Sequence, residues 1–238
     1  ADGKERWSFV APEFFPRLSR LNVNSPMVKF PNQPTGITPA PTPKDYFWDG
    51  SVGIFQTLDN SQIWIFPSMR RGGRMLYAFD VTNVDSPTLM WKLGCPNLTD
   101  DTGCSAAPPD GTDVSGIGQP WSTPSVAFIK RYPTLGAEEP VLVVGGGYDN
   151  CEDANSSAPS CSSPKGAKIY VIKASDGTIL KTFNTLRSVA SDVAMVDGTI
   201  RTLDEATRKR ANAKVADVAK GVCKAFGARA EVEFEKDA

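Results

Sequence analysis

The stretch from residue 61 to 82, "SQIWIFPSMRRGGRMLYAFDVT", constrains the fold more than any other. After its "RRGG" turn, Met75, Tyr77 and Phe79 alternate with Leu76, Ala78 and Asp80. A period of two over so short a run predicts a strand. "SQIWIFPSM" reads as its partner, and the glycines between supply the backbone freedom a tight turn needs. The pattern recurs in "YFWDGSVGIF", "TLMWKLG", "QPWSTPSVAFIK", "PVLVVGGGYD", "AKIYVIKA" and "ILKTFN". Turn chemistry such as "NVDSP" and "SDGT" separates these runs. "GKERWSFVAP" (3–12) reads as a further strand, with Trp7 and Phe9 on one face and Pro12 ending it. "PEFFPRLSRL" after it predicts one short helical turn. Residues 31–43 hold five prolines and no core formers, so they predict an extended spacer loop.

Many short strands split by turns predict a sandwich, a barrel or a propeller. Two segments resemble each other: "GRMLYAFDVTNVDSPTLMWKL" and "GAKIYVIKASDGTILKTF". Each orders a glycine, a basic residue, a strand, a turn and a second strand. Each would form the outer hairpin of one propeller blade.

Composition narrows the chemistry. The chain of 238 residues contains no histidine, which excludes a Ser-His-Asp or Cys-His catalytic group within it. The formal net charge is −1 with Lys and Arg scattered, so no nucleic-acid partner is expected. No apolar run approaches the ~20 residues a membrane-spanning helix needs. The sequence opens on "ADGKERWSF" without an initiator methionine or a signal peptide, and is expected to be a mature or excised fragment.

Five cysteines are present. Cys95 and Cys104 flank the polar loop "PNLTDDTG", and Cys151 and Cys161 flank "EDANSSAPS". Two loop-closing disulfides are favoured, and with them an oxidising compartment. Zinc is the rival reading, but the spacings exceed those of a C-x₂₋₄-C knuckle. Cys223 is left over.

The candidate ligand groups are weak. "GGGYDN" (145–150) lacks both the Lys-Ser/Thr and the G-x-G-x-x-G spacing of a phosphate loop. It reads as a strand end with close backbone approach. Asp149, Glu152 and Asp153, or Asp100, Asp101, Asp110 and Asp113, could surround a cation, but no regular ligand spacing is visible. Trp7, Trp64, Trp91 and Trp121 sit in strand patterns and are expected in the core or between blades. Trp48, before Asp49 and Gly50, is placed at a rim. No catalytic, cofactor-binding or metal-binding residue is assigned.

From Gly198 the chain changes character. Thr202 and Glu205 suggest a capping box. Ala211, Val215, Val218, Val222 and Phe226 recur at helical spacing, and Gly227 suits the helix end. "ARAEVEFEK" then alternates as a half-exposed strand. The unit reads as strand–helix–strand from about Val193 to Lys236, with the helix stripe facing a core.

Seven motifs in order resemble one family. They are "DGKERWSFVAPEFFPRLSRL", "DYFWDGSV", "RRGGRMLYAFDVTN…P…WK", "GQPWSTPSV", "VLVVGGGYD", "GAKIYVIKASDGTIL" and "SVASDVAMVD". Their order and spacing are similar to the C-terminal β-propeller of the PilY family of type IV pilus biogenesis and tip-associated proteins, over residues 1–197. The resemblance implies a partial quinoprotein-like propeller. It also implies a non-enzymatic role in pilus assembly, adhesion and surface contact, with pilins, minor pilins or a host surface as partners. The implied location is periplasmic, outer-membrane-associated or extracellular. Calcium-binding members carry a D-x-D-x-D-G-like loop. Here "AMVDGTIRT" stands in its place, and only Asp197 and Gly198 remain, so no calcium site carries over.

The tail, 198–238, resembles the lid or dimerisation domain of zinc amidohydrolase and aminoacylase-type metallopeptidases, through "GTIRTLDEATR" and "AFGARAEVEF". That family's metal site lies in a separate catalytic domain, so activity does not transfer. The two resemblances meet near 192–198 and imply a chimeric chain. Two alternative functions stay open: a quinoprotein-like dehydrogenase fragment, and a zinc amidohydrolase lid fragment.

Overall fold

A computed structural model describes residues 3–105, 114–134, 136–153, 164–193, 204–225, 232 and 234. The chain divides into two units, Ala1–Ala194 and Met195–Ala238. The first is mainly β. Its strands are β1 (Val52–Gln56), β2 (Ile63–Pro67), β3 (Arg74–Asp80), β4 (Thr88–Cys95), β5 (Ser125–Phe128), β6 (Pro140–Gly145), β7 (Lys168–Lys173) and β8 (Ile179–Asn184). They form two four-stranded antiparallel sheets, in the orders β1-β2-β3-β4 and β5-β6-β7-β8.

Within each sheet every strand pairs with its sequence neighbour, and short polar turns reverse the chain between β1 and β2, β2 and β3, β3 and β4, and β7 and β8. In three of those turns an aspartate side chain accepts a backbone N–H two residues ahead. Asp59 accepts from Ser61 at 3.1 Å, Asp80 from Thr82 at 2.8 Å and Asp176 from Thr178 at 3.0 Å. This is the local bond for which such residues are favoured at turns.

One core lies between the sheets. Phe55, Trp64, Phe66, Leu76, Ala78, Trp91 and Leu93 from the first pack against Leu142, Val144, Tyr170, Ile172 and Ile179 from the second. Trp91 closes the contact by donating its indole N–H to the Ala174 carbonyl at 2.9 Å. At the other margin Gly53 of β1 lies against Pro124. A Cβ added there would sit 2.3 Å from the Pro124 carbonyl oxygen.

The two repeated hairpins are the third and fourth strands of their sheets. Their irregularities match as well. The register shifts between Ala78 and Phe79 in β3 and between Val171 and Ile172 in β7. Tyr77 and Tyr170 therefore hold the same place, one residue before the shift. Tyr170 faces the first sheet, in the shared core. Tyr77 faces away from the second sheet, in a separate cluster with Met75 and Phe79. The front of the second sheet thus meets the back of the first. Two sheets related by a two-fold axis would bring like faces together.

The front of the first sheet is covered by the N-terminal segment. Ala11 and Phe14 are buried there, and Phe9, Phe47 and Trp48 pack around them. The expected strand over 3–12 does not form, since residues 3–11 pair with no sheet edge. Their aromatic side chains pack against the sheet face instead, Trp7 tilted against Phe79 and Phe9 edge-on to Phe79 and tilted against Tyr77. The predicted single turn is longer than expected. A 3-10 turn at Pro12–Phe14 leads into α1 (Phe15–Val23). Glu13 latches this segment by accepting from the Tyr77 hydroxyl and, at 2.6 Å, from the Lys92 ammonium.

Residues 31–43 form no regular element. Arg20 of α1 holds the ends of this excursion by donating to the carbonyls of Pro26, Met27, Thr42 and Pro43. It also donates to Asp45 at 2.6 Å.

In the second unit α2 spans Glu205–Ala225. Its cap is Asp204, which accepts from the Thr207 N–H at 2.8 Å and the Thr207 hydroxyl at 2.7 Å. The expected cap, Thr202, lies outside the described residues. The helix begins two residues later than that box implies, because the aspartate satisfies the first-turn donor directly. The helix stripe is also not a core where it is described. Val215 and Val218 are 45% and 54% exposed. The flanking strands fall outside the described residues, apart from Val232 and Phe234, which belong to no strand.

Two outcomes test this packing. Burial opposes the charge on Glu13, but the bonds from Lys92 and Tyr77 together outweigh it and hold the carboxyl below its ordinary value. A group with a depressed folded value stabilises above the unfolded value and loses that contribution as pH falls through the folded one. Protection of the Phe14 amide, which donates to the Ala11 carbonyl at 2.9 Å, taken relative to the intrinsic exchange rate at each pH, should therefore fall as pH drops below the usual carboxylate range. Glu13→Gln should lower that protection at neutral pH and flatten the dependence. Separately, Gly53→Ala should lower stability by about 1–3 kcal/mol through overpacking, read from the denaturant midpoint.

Candidate functional site

In an antiparallel meander, the start of each odd strand and the end of each even strand lie at one edge. Segments 45–51, 68–73, 95–105, 114–124, 145–153 and 164–167 therefore gather at one end of the two sheets. This loop end holds nearly all the polar residues singled out from the sequence.

Arg74, the first residue of β3, organises it. Its side chain is 1% exposed. Nε donates to the Asn97 carbonyl at 2.7 Å. Nη1 donates to the carbonyls of Ser115 at 2.9 Å and Ile117 at 2.8 Å. Nη2 donates to the Asp100 carbonyl at 2.6 Å and the Asp101 carboxylate at 2.7 Å. All five N–H groups are thus satisfied. Asp101 also accepts from Lys165 at 2.9 Å, and Lys165 in turn donates to the Ser115 carbonyl at 3.0 Å. The bonds from Lys165 and then Arg74 hold the Asp101 carboxyl below its ordinary value.

Cys95 and Cys104 are joined by a disulfide that closes the same loop. Cys95, Cys104 and Asp101 lie close together, but sulfurs bonded to each other do not ligate a metal as thiolates. Asp100 accepts from the Thr102 N–H at 2.8 Å and from the Asn97 side chain at 3.0 Å. Asp100 and Asp101 thus serve the loop's own fold. Asp110 and Asp113 lie outside the described residues.

The glycines of "GGGYDN" act as a strand end. Gly146 approaches Gly166 so closely that a Cβ would lie 2.6 Å from its carbonyl oxygen. Gly147 has φ of +108° and donates to the Val189 carbonyl at 3.0 Å. Gln119 and Tyr148 exchange backbone bonds of 2.8 and 2.7 Å.

The nearby carboxylates also have protein partners. Asp149 accepts from the backbone of Cys151 at 3.1 Å and of Lys165 at 2.7 Å. Glu152 accepts from the Ser188 N–H at 3.2 Å and from its hydroxyl at 2.5 Å. Asp153 accepts from the Tyr148 hydroxyl, and this bond pushes the phenol up to about 12. Cys161, the expected partner of Cys151, lies outside the described residues.

The tryptophans divide. Trp64 and Trp91 are in the inter-sheet core, and Trp7 lies against Phe79. Trp48 is not at a rim. It packs edge-on against Tyr77 at 4.9 Å and Phe14 at 5.9 Å, under the N-terminal segment. Trp121, like Trp7 and Trp48, is half-buried. The Arg70 guanidinium lies over its ring at 3.9 Å, and the Tyr148 ring is 5.6 Å away. Beside it the Arg71 guanidinium lies over Tyr46 at 4.0 Å. Asp49 joins the two arginines. It accepts from the Arg71 N–H at 3.0 Å and from Arg71 Nε, while its carbonyl accepts from Arg70 Nη1 at 3.4 Å. Read from sequence, Arg70 and Arg71 are only turn residues. The usable signal was a pair of arginines between two separate aromatic segments.

No protein-family model and no curated protein matches the chain. Among solved structures, it is similar to the crystal structure of the Pseudomonas aeruginosa PilY1 C-terminal domain, with a TM-score of 0.44 and 19% identity. The match covers 77% of this chain and 27% of that one, so the chain spans about a quarter of that structure.

Removing Arg74 would take this donor from the carbonyls of Asn97, Asp100 and Ile117 and leave the Ser115 carbonyl and Asp101 with Lys165. Arg74→Ala should cost on the order of 3–5 kcal/mol. Opening the Cys95–Cys104 loop with a double serine variant should cost less, about 2–3 kcal/mol, because the loop is short. Chemical denaturation of both variants measures the order. A disulfide variant that is the less stable of the two would show that the covalent link, not the arginine, holds the loop.

Proposed function

We propose that residues 1–197 are part of a quinoprotein-like β-propeller from an extracytoplasmic, type IV pilus-associated protein, acting by contact with pilins, minor pilins or a surface and not by turnover. One observation carries the propeller reading. The two sheets repeat head to tail, with Tyr77 and Tyr170 equivalent but only Tyr170 between the sheets. A repeat of that kind continues around an axis, as blades do, whereas a sandwich joins like faces. The pilus reading rests on the seven ordered motifs. The disulfide fits an oxidising compartment. No described helix is long and apolar enough to cross a membrane.

The non-catalytic reading is supported by the absence of histidine and by the use of the described loop-end carboxylates in capping and ion pairs. Residues 198–238 are read as a metallopeptidase lid fragment joined to this propeller portion, with no metal centre or cofactor of their own. The exposure of Val215 and Val218 on α2 suits a piece separated from its usual partner.

Immobilised full-length chain should retain purified major or minor pilins in a saturable manner. No retention, together with no adhesion of coated beads to cells, would remove the pilus reading. Dye reduction on addition of a quinone and calcium would instead establish the dehydrogenase alternative. Limited proteolysis with mass mapping should cut near 190–200 and leave two resistant pieces. Uniform protection across that stretch would argue for one integrated domain.

A further inference from the structure

The turn between β2 and β3 has a feature that closing a hairpin does not require. Arg70 adopts φ of +52°, a left-handed conformation that a side-chain-bearing residue rarely takes. Gly72 and Gly73 follow after Arg71 in the same turn and could have supplied that freedom. The consequence of the geometry is to aim two consecutive arginines at two aromatic rings. Arg70 lies on Trp121 and Arg71 on Tyr46. Stacking fixes each guanidinium plane while leaving its edge available, and a preorganised fork loses less entropy when it binds.

The donor inventory shows unused capacity. Asp49 engages Nε and the backbone N–H of Arg71 and, through its carbonyl, Nη1 of Arg70. Among the described residues nothing accepts from Nη1 or Nη2 of Arg71 or from Nη2 of Arg70. The Arg71 side chain is 44% exposed. Lys44 adds a third cation, 5.6 Å from the Tyr46 ring centre. Of the three, only Arg71 pairs with the Asp49 carboxylate. Asp45, the neighbour of Lys44 in sequence, is occupied by Arg20.

We infer that Arg70 and Arg71, set on Trp121 and Tyr46, form a recognition site for carboxylates of an acidic polypeptide segment. The terminal N–H pairs of Arg71, with Nη2 of Arg70, form the donor edge. Planar paired donors match the two oxygens of a carboxylate, which a lone ammonium does not. Asp49 acts as the positioning residue, holding Arg71 by Nε so that its terminal nitrogens point outward. The site stands apart from the pilus reading, because it requires only this turn and its two rings.

The test uses the full chain and a short oligoglutamate peptide. The reporter is the indole N–H resonance of Trp121, assigned by loss in Trp121→Phe. Titration should move that resonance saturably, and added salt should weaken the affinity by screening. Arg70→Ala/Arg71→Ala should weaken binding at least about tenfold, since charge-assisted bonds are lost. Arg70→Lys/Arg71→Lys keeps the charge and the turn but removes the fork, and should also bind on the order of tenfold more weakly. Retained resonance dispersion shows that the variants are folded. Absence of a saturable shift, or equal affinity in the lysine variant, would overturn the proposal. So would competition by sulfate as strong as by the peptide, which would mark a simple ion site.

Discussion

Arg74 is the interaction on which the first unit depends. A fully buried guanidinium is tolerable only when every N–H has a partner, and Arg74 has five. Those partners lie on the loop that leaves β4 and on the one that enters β5. A single side chain at the start of β3 therefore fixes the path between the two sheets. Lys165, from the loop entering β7, extends the same network through Asp101. Arg17 of α1 adds the carbonyls of Tyr46, Gly72 and Pro96. The loop end is held by arginines donating to backbone carbonyls, and the strands beneath it need no long regular element to align it.

The second organising fact is the direction of the repeat. Both faces of the first sheet are buried, the back by the second sheet and much of the front by residues 7–14 and the segment around Trp48. The N-terminal segment thus covers a face that, in the second sheet, another sheet covers. Coverage is incomplete. Ile54 of β1 is 61% exposed, whereas Val126, at the equivalent position of β5, packs against the inter-sheet core. A chain segment with aromatic side chains can shield Tyr77 and Phe79, but it does not have the width of a sheet.

Legibility followed the range of the interaction. Strands β2, β3, β6 and β7 were readable because alternation and turn residues are local, and so was the repeat of the two hairpins. The 3–12 segment was misread because Trp7 and Phe9 have the spacing of a strand. Whether such a segment pairs with an edge or lies on a face is decided by what is nearby in space. Trp48 was misplaced for the same reason. Its neighbours Asp49 and Gly50 suggest a turn, while Phe14 and Tyr77, distant in sequence, enclose it. Arg70 and Arg71 gave no functional signal, since Tyr46 and Trp121 approach them only in the folded chain.

The sequence by itself determined the local chemistry: which runs alternate, where aspartate and glycine turn the chain, that these residues include no histidine, and that the chain changes character near 198. These follow from propensities and counts that need no partner. Only the tertiary structure decided that the sheets stack front to back, that protein acceptors replace solvent around the five donors of Arg74, and that Asp101, Asp149 and Glu152 are engaged by Arg74, Lys165 and Ser188. Each is a contact between residues remote in sequence, and its strength depends on burial and direction, which a linear pattern does not carry.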